Sequence, residues 1–223
     1  MNGPLATTVL DEFGTNLPRL LDGLQVSVVL TLLSIAFGAP LALLACLAQM
    51  SPIRPIRYAA IGFVELGRGA PALVLLQLAY FGLPSAGVVL PAMTAAIAAL
   101  SWTAAAYGAE YIRGGIAAVP RREVEACHAL GMTTRDTFRF VVIPQGLRIA
   151  IPSLMGFAVM LFQATSLAYS VAVPELMSQA YSIGSSTFRY LVVLIQAGVL
   201  YAAISIPFTW LSISVERRMN KHI

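Results

Sequence analysis

The chain has 223 residues, of which 58% are hydrophobic and only 11% are charged, and its formal net charge is +4. A soluble domain carries about 25% charged residues, so this composition excludes an ordinary soluble protein. The basic excess does not indicate nucleic-acid binding, because no basic run is interleaved with the aromatic residues that stack on single strands. In a membrane protein such an excess usually marks cytoplasmic loops.

Charged residues are absent from four long stretches, 23–53, 69–109, 149–174 and 190–215. About 20 apolar residues in a helix cross a bilayer core of roughly 30 Å, so each stretch can span a membrane. The second stretch would form a helix of about 60 Å, and turn-forming residues at 82–87 divide it. The sequence therefore predicts an all-α integral membrane protein with five transmembrane helices, at about 24–50, 57–81, 90–111, 149–173 and 190–215.

Basic residues orient the bundle. They follow the first span, fill the loop after the third span and end the chain, whereas the loop after the second span has no charge. We therefore expect residues 1–22 to be an extracytoplasmic segment, 23–215 a single transmembrane domain and 216–223 a cytoplasmic tail. The chain is predicted to be a multi-pass inner-membrane protein with its N-terminus outside and its C-terminus in the cytoplasm.

The sequence offers no constellation of residues for metal binding or catalysis. Cys46, Cys127, His128 and His222 do not have the spacing of a metal site or a disulfide framework. A phosphate-binding P-loop needs a lysine that follows glycine, and the only lysine, Lys221, follows Met-Asn. We therefore expect no metal, no cofactor and no catalytic residue in this chain.

A cytoplasmic loop at 119–145 reads as a pair of short helices. Pro120 suits the first position of a helix, and Glu123 lies where the helix dipole favours an anion. Gly131 can end that helix in a left-handed conformation. Thr133 or Thr134 can then cap a second helix.

The second helix carries an apolar stripe that includes Phe138 and Val142, and Pro144 is predicted to end it. Composition alone allows an amphipathic hairpin that lies on the membrane surface. The other interpretation is a docking element that fits the groove of a partner protein.

Within this loop the spacing of seven residues resembles a known signature, E-A-A, three residues, G, nine residues, I-x-L-P. The residues are Glu125, Ala126, Cys127, Gly131, Val141, Ile143 and Pro144. The signature is that of permease subunits of bacterial ATP-binding cassette (ABC) importers. The resemblance implies that the loop forms coupling helices that dock P-loop ATPase subunits, which bind the ATP and Mg²⁺. It assigns ATPase coupling to Glu125, Ala126, Cys127, Gly131 and Pro144.

Further stretches are similar to the polar amino acid permeases of this class. The residues are 67–71 and 80–84 (GRGAP and YFGLP), 106–115 (AYGAEYIRGG), 165–167 (TSL) and 173–176 (VPEL). The resemblance implies a type I importer permease fold with a coupling helix pair, and a second permease copy or a paralogue as partner. It also implies an extracytoplasmic solute-binding protein and a substrate that is a polar or charged amino acid or a derivative such as an opine.

Arg68 lies 11 residues past Arg57, about 16 Å along a helix and close to the membrane midplane. A charge at that depth usually faces a cavity or a partner. One hypothesis places Arg68 on the substrate path with Gly69 and Pro71, where it binds a carboxylate. The alternative is an ion pair between Arg68 and Glu65, which are three residues apart on one helix.

Three polar residues in the fourth span, Gln163, Thr165 and Ser166, are further candidates for the substrate path. Such side chains also bind neighbouring helices. The family often has a lysine and a polar residue before Thr-Ser-Leu, whereas this chain has Gln163-Ala164, which leaves the substrate preference open.

Two other classes remain as alternatives. A secondary transporter or channel would need intramembrane acidic residues, for which only Glu65 and Glu110 are candidates, and it commonly has inverted repeats, which are absent from this sequence. A membrane-embedded enzyme would need a nucleophile or a metal site. We expect instead alternating access that is driven by ATP hydrolysis in a partner.

Overall fold

The computed structural model describes the backbone of residues 4–219 and the side chains of 13–219. Within these ranges the chain is helical and has no strand, which confirms the predicted all-α class. Lys221 and His222 lie outside the described residues. The α-helices are α1 Pro4–Gln49, α2 Arg54–Gly69, α3 Ala72–Gln77, α4 Ala92–Ala117, α5 Arg121–Ala129, α6 Thr134–Thr137, α7 Ile143–Ala164, α8 Leu176–Thr187 and α9 Tyr190–Met219.

Shorter helical turns continue three of these helices. A π-helix, Leu78–Gly82, and a 3₁₀-helix, Leu83–Ala86, follow α3. A π-helix, Phe138–Val142, joins α6 to α7, and a 3₁₀-helix, Thr165–Val171, follows α7. The turn after α3 ends at Gly87, whose φ of +82° is accessible to glycine at little cost.

Four segments among the described residues are long and apolar enough to cross a membrane: Phe13–Gln49, Ala92–Ala117, Thr134–Val171 and Tyr190–Met219. A fifth candidate is the broken pair Arg54–Gly69 and Ala72–Ala86. These five segments overlap the five predicted spans.

The predicted boundary between an N-terminal segment 1–22 and the membrane domain falls inside α1, which is continuous from Pro4 to Gln49. The charges near this boundary do not end the helix. The Arg19 side chain donates hydrogen bonds to Gln179 Oε1 and Ser182 Oγ, at 3.3 and 3.0 Å. Helix α1 therefore continues through residue 22, and Arg19 finds its hydrogen-bond partners on α8.

Pro144 does not end the second helix of the loop, contrary to the sequence expectation. The helix runs on from Thr134 to Ala164. In a regular α-helix the ring of Pro144 would clash with the carbonyl of Phe140. A π-helical turn over Phe138–Val142 ends two residues before the proline, and its wider spacing accommodates the missing N–H and the ring.

The chain divides into two compact units, and the division falls within α1, α4, α7 and α9. Of the described residues, unit 1 comprises 4–36, Ala70–Ser101 and Ala158–Phe208, and unit 2 comprises Phe37–Gly69, Trp102–Phe157 and 209–219. The core of unit 1 includes Leu20, Leu176, Ala180, Ile183, Val193, Ala197 and Leu200. The core of unit 2 includes Ala42, Ala45, Cys46, Val64, Ala109, Ile112, Ile116, Val119 and Val142.

In unit 2 the backbones of α4 and α7 approach each other closely. A Cβ atom at Gly115 would lie 2.2 Å from the carbonyl oxygen of Gly146, and one at Gly146 would lie 2.7 Å from the Cα of Ile116. Small residues allow this approach, which is typical of helix pairs in membranes. The contact holds together α4 and α7, the two helices that flank the segment 118–142.

Candidate functional site

The first helix of the loop, α5, begins at Arg121. Pro120 is extended and stands at the N-cap, one position before the predicted one, and Glu123 lies in the first turn. The helix ends at Ala129, Leu130 is its C-cap, and Gly131, which follows, has a φ of +77°. A left-handed glycine therefore makes the turn, as the sequence indicated.

The second helix begins after Thr133, one of the two caps that the sequence left open. The Thr133 side chain accepts a hydrogen bond from the backbone N–H of Asp136 at 3.2 Å, and its hydroxyl donates to Asp136 Oδ2 at 2.6 Å. A side-chain cap satisfies an N–H that has no partner in the helix. The loop is thus a defined helix–turn–helix.

One face of α5 is anchored to the core of unit 2. Cys127 is buried, Val124 packs against the cluster that contains Val142, and Gln145 donates a hydrogen bond to the carboxylate of Glu123. Cys127 thus points into the chain's own core rather than onto the exposed side. These contacts join α5 to the start of α7.

The opposite side of the loop is exposed. Glu125 and Ala126 are accessible, and two large apolar side chains, Leu130 and Phe140, are 83% and 61% exposed. We call these four residues the docking face. Exposed apolar residues rimmed by polar ones mark sites of protein or membrane contact. The sequence reasoning missed Leu130 and Phe140, although both are apolar residues outside the stripe that contains Val142.

A second group of functional candidates lies in unit 2, around Arg68 at the end of α2. Arg68 Nη1 lies 3.8 Å from Glu65 Oε1 and 3.5 Å from Glu110 Oε2. Arg113 binds the same Glu110 carboxylate more closely, with distances of 3.0 and 2.5 Å to its two oxygens. Two arginines and two glutamates therefore form one network, which we call the charge cluster.

An aromatic side chain completes the surroundings of Arg68. The guanidinium carbon lies 5.7 Å from the centroid of the Tyr107 ring, within the range of a cation–π contact. The Tyr107 hydroxyl donates to the Arg68 carbonyl at 3.5 Å. Both contacts fix the end of α2 against α4.

The remaining substrate-path candidates lie in unit 1. Thr165 is buried, and its hydroxyl donates to the Phe162 carbonyl at 2.6 Å; the Ser166 hydroxyl donates to the Gln163 carbonyl at 2.8 Å. These bonds satisfy both hydroxyls within their own turn, whereas Gln163 is exposed. Helix α3, which Pro71 precedes, packs against the turn Thr165–Val171. The predicted Arg68 and Gly69 belong to the other unit.

Unit 1 also contains a buried carboxylate that the sequence did not single out. Glu175 caps α8 and accepts hydrogen bonds from the backbone N–H groups of Met177 and Ser178, at 2.8 and 2.7 Å. The hydroxyls of Tyr201 and Ser27 donate to it from α9 and α1, at 2.8 and 3.3 Å. Burial raises the pKa of Glu175, and the hydrogen bonds oppose this rise.

Comparison with known proteins identifies the family. Residues 26–221 match the model of the "binding-protein-dependent transport system inner membrane component". The chain belongs to this family. It is therefore a multi-pass inner-membrane component of a transport system, which confirms the resemblance of the loop and of the further motifs to importer permeases.

Several curated members of this permease family are similar over almost the whole chain. The L-cystine transport system permease TcyB of Bacillus subtilis is 35% identical over 207 residues, which cover 92% of this chain and 88% of TcyB. The arginine transport system permease ArtQ of Bacillus subtilis is 30% identical, over 92% of this chain and 94% of ArtQ. The histidine/lysine/arginine/ornithine permease HisM of Escherichia coli is 28% identical, over 90% and 89%.

Solved structures show the same permease fold. An amino acid ABC transporter crystallised with histidines matches with a TM-score of 0.89 and 34% identity, over 93% of this chain and 97% of the matched chain. The MetNI methionine transporter in an inward-facing conformation matches with a TM-score of 0.65 and 18% identity, which shows the fold alone. These matches confirm the predicted type I importer permease fold.

Proposed function

We propose that this chain is the translocation subunit of an ABC importer for amino acids or their derivatives. Its partners would be P-loop ATPase subunits, a second permease copy or a paralogue, and an extracytoplasmic solute-binding protein. ATP and Mg²⁺ bind in the ATPase, and the chain lies in the inner membrane with its N-terminus outside and its C-terminus in the cytoplasm. The docking face of the loop is the observation that carries this proposal.

The docking face has the properties of a surface that fits a partner. Leu130 and Phe140 are large apolar side chains that are exposed, and Glu125 and Ala126 of the same loop are exposed as well. The face stands on a pair of helices whose other side is bound to the core through Cys127 and through the hydrogen bond from Gln145 to Glu123. A displacement of the face by an ATPase is therefore transmitted to α7.

The class of substrate is supported by the relatives and by Arg68. The names of the relatives refer to cystine, arginine, histidine, lysine and ornithine, which have the α-amino acid group in common. An arginine in a membrane-spanning helix is a carboxylate-binding candidate. We propose Arg68, Gly69, Pro71, Gln163, Thr165 and Ser166 as residues of the translocation path.

Transport would proceed by alternating access. The binding protein delivers the solute on the outside, and the closure of two ATPase subunits pulls on the docking faces of the paired permeases. The pair then reorients its cavity toward the other side of the membrane. The permease itself forms and breaks no covalent bond in this cycle.

Reconstituted transport tests the proposal. The chain, its ATPase and its binding protein are placed in proteoliposomes, and uptake of radiolabelled L-arginine, L-histidine and L-cystine is measured with ATP or with a proton gradient as the energy source. We expect uptake of at least one of them with ATP only. Glu125→Gln should lower both ATPase binding and uptake, whereas the control Glu216→Gln, an exposed carboxylate outside the loop, should change neither. Uptake driven by the proton gradient without ATP would exclude the proposal.

A further inference from the structure

The Glu65–Arg68 pair has unused capacity for hydrogen bonds. Its nitrogen–oxygen distance of 3.8 Å exceeds the roughly 2.7–2.9 Å of a charge-assisted hydrogen bond. The Glu65 side chain is 66% exposed and that of Arg68 36%. Arg68 Nε is buried and has no hydrogen-bond partner among the described residues. The two side chains are thus close enough to attract each other, but no short hydrogen bond joins them.

Arg68 can turn toward a ligand while its second partner, Glu110, stays paired with another arginine. Glu110 lies 3.5 Å from Arg68, but it accepts two shorter hydrogen bonds from Arg113. A buried carboxylate that loses its partner is costly. Since Arg113 remains bound to Glu110, this cost does not arise when Arg68 shifts.

Space is available beside the pair on α2. Gly62 and Gly69 lie three residues before and four residues after Glu65, so all three share one face of the helix. A Cβ atom added at either glycine would meet no atom within 4 Å. Open space therefore lies at both glycine positions on the face of α2 that carries Glu65.

We infer that Glu65 and Arg68 together bind the zwitterionic end of an α-amino acid, Arg68 the α-carboxylate and Glu65 the α-ammonium group. This inference rests on the proposed function and names a recognition site for it. The two substrate charges meet two protein charges of opposite sign, so the complex stays neutral within the membrane span. A carboxylic acid without the ammonium group would leave Glu65 facing a second anion, and an amide would leave Arg68 without its partner.

Direct binding tests this site apart from delivery by the binding protein. The permease–ATPase complex is purified in detergent without the binding protein, and isothermal titration measures the Kd of L-arginine, L-argininamide and the deaminated 5-guanidinopentanoate. We expect L-arginine to bind at least tenfold more tightly than either analogue. Glu65→Gln should raise the Kd of L-arginine at least tenfold, so that L-arginine no longer binds more tightly than the deaminated acid. Arg68→Gln should abolish the difference in Kd between L-arginine and L-argininamide.

Controls separate binding from folding. Glu65→Asp keeps the carboxylate and should retain most of the selectivity, Glu216→Gln should bind as the wild type does, and thermal unfolding reports on the fold of each variant. If the wild type binds none of the three compounds, or if a folded Glu65→Gln variant keeps the full preference, the zwitterion site is wrong. If the wild type also imports no amino acid with ATP in proteoliposomes, the proposed function is wrong. If it does import amino acids with ATP, but the Glu65→Gln variant binds L-arginine as tightly and as selectively as the wild type, only the zwitterion site is wrong.

Discussion

Replacing Gly115 by alanine places one methyl group at the tightest helix contact of unit 2. The new Cβ would lie 2.2 Å from the Gly146 carbonyl oxygen and 3.0 Å from both the backbone nitrogen and the Cβ of Ala150. Carbon atoms pack best at about 3.5–4.0 Å. Two of the three atoms that the new Cβ would meet belong to the backbone, so rotation of a side chain cannot relieve the clash. To restore an ordinary contact distance, α4 and α7 must separate by about 1 Å.

The magnitude follows from the cost of overpacking. Extra methyl groups in well-packed interiors typically cost about 1–3 kcal/mol, and a fixed backbone places Gly115→Ala near the upper end, at about 3 kcal/mol. For a chain of this length each kcal/mol corresponds to a shift in Tm of about 2–4 °C. We therefore expect Tm to fall by roughly 6–12 °C by that scaling.

The adjacent glycine supplies a matched control. A Cβ at Gly114 would meet no atom within 4 Å, and alanine is favoured over glycine in a helix by about 1 kcal/mol. Gly114→Ala should therefore leave Tm unchanged or raise it by a few degrees. Thermal unfolding of the purified importer complex measures both variants. Equal Tm values for the two alanine variants would refute the close packing of α4 on α7.

Three further expectations concern the loop and the buried carboxylate. Gly131→Ala forces alanine to a φ of +77°, which costs about 1–2 kcal/mol, and should weaken ATPase binding in a pull-down titration; wild-type affinity would speak against a fixed turn. Thr133→Ala removes the cap on Asp136 N and should cost about 1 kcal/mol in thermal unfolding, whereas Thr134→Ala should cost less; equal losses would contradict the cap. The folded-state pKa of Glu175 is raised, so the stability due to its protonated form is complete below the pKa of the unfolded chain and is lost as pH rises through the folded pKa. The Tm of the wild type should therefore decline relative to that of Glu175→Gln as pH increases over this window, and parallel Tm–pH curves would contradict the burial of Glu175.

The sequence predicted those features that depend on local chemistry. Long stretches without charge indicated the spans, because a charge in the bilayer is costly whatever it contacts. Gly131 and Thr133 indicated the turn and the cap, because both act through their own backbone.

Features that depend on distant partners could not be predicted. Arg68 and Glu110 are 42 residues apart in sequence, and no spacing rule shows that they meet. The continuation of the helix through Pro144 depends on a π-helical turn over Phe138–Val142, which has no simple sequence signal. The environment of Glu175 depends on two helices that are distant in sequence, because hydroxyls of Ser27 on α1 and Tyr201 on α9 donate hydrogen bonds to it.

Hydrogen exchange tests most directly the central claim that the loop at 119–145 docks a separate ATPase. Deuterium uptake of the reconstituted chain is compared by mass spectrometry with and without the ATPase. We predict new protection of amides in this loop, around Leu130 and Gly131, and none in the turn after α8. A chain that binds no ATPase, or one whose protection appears only after α8, would contradict the account.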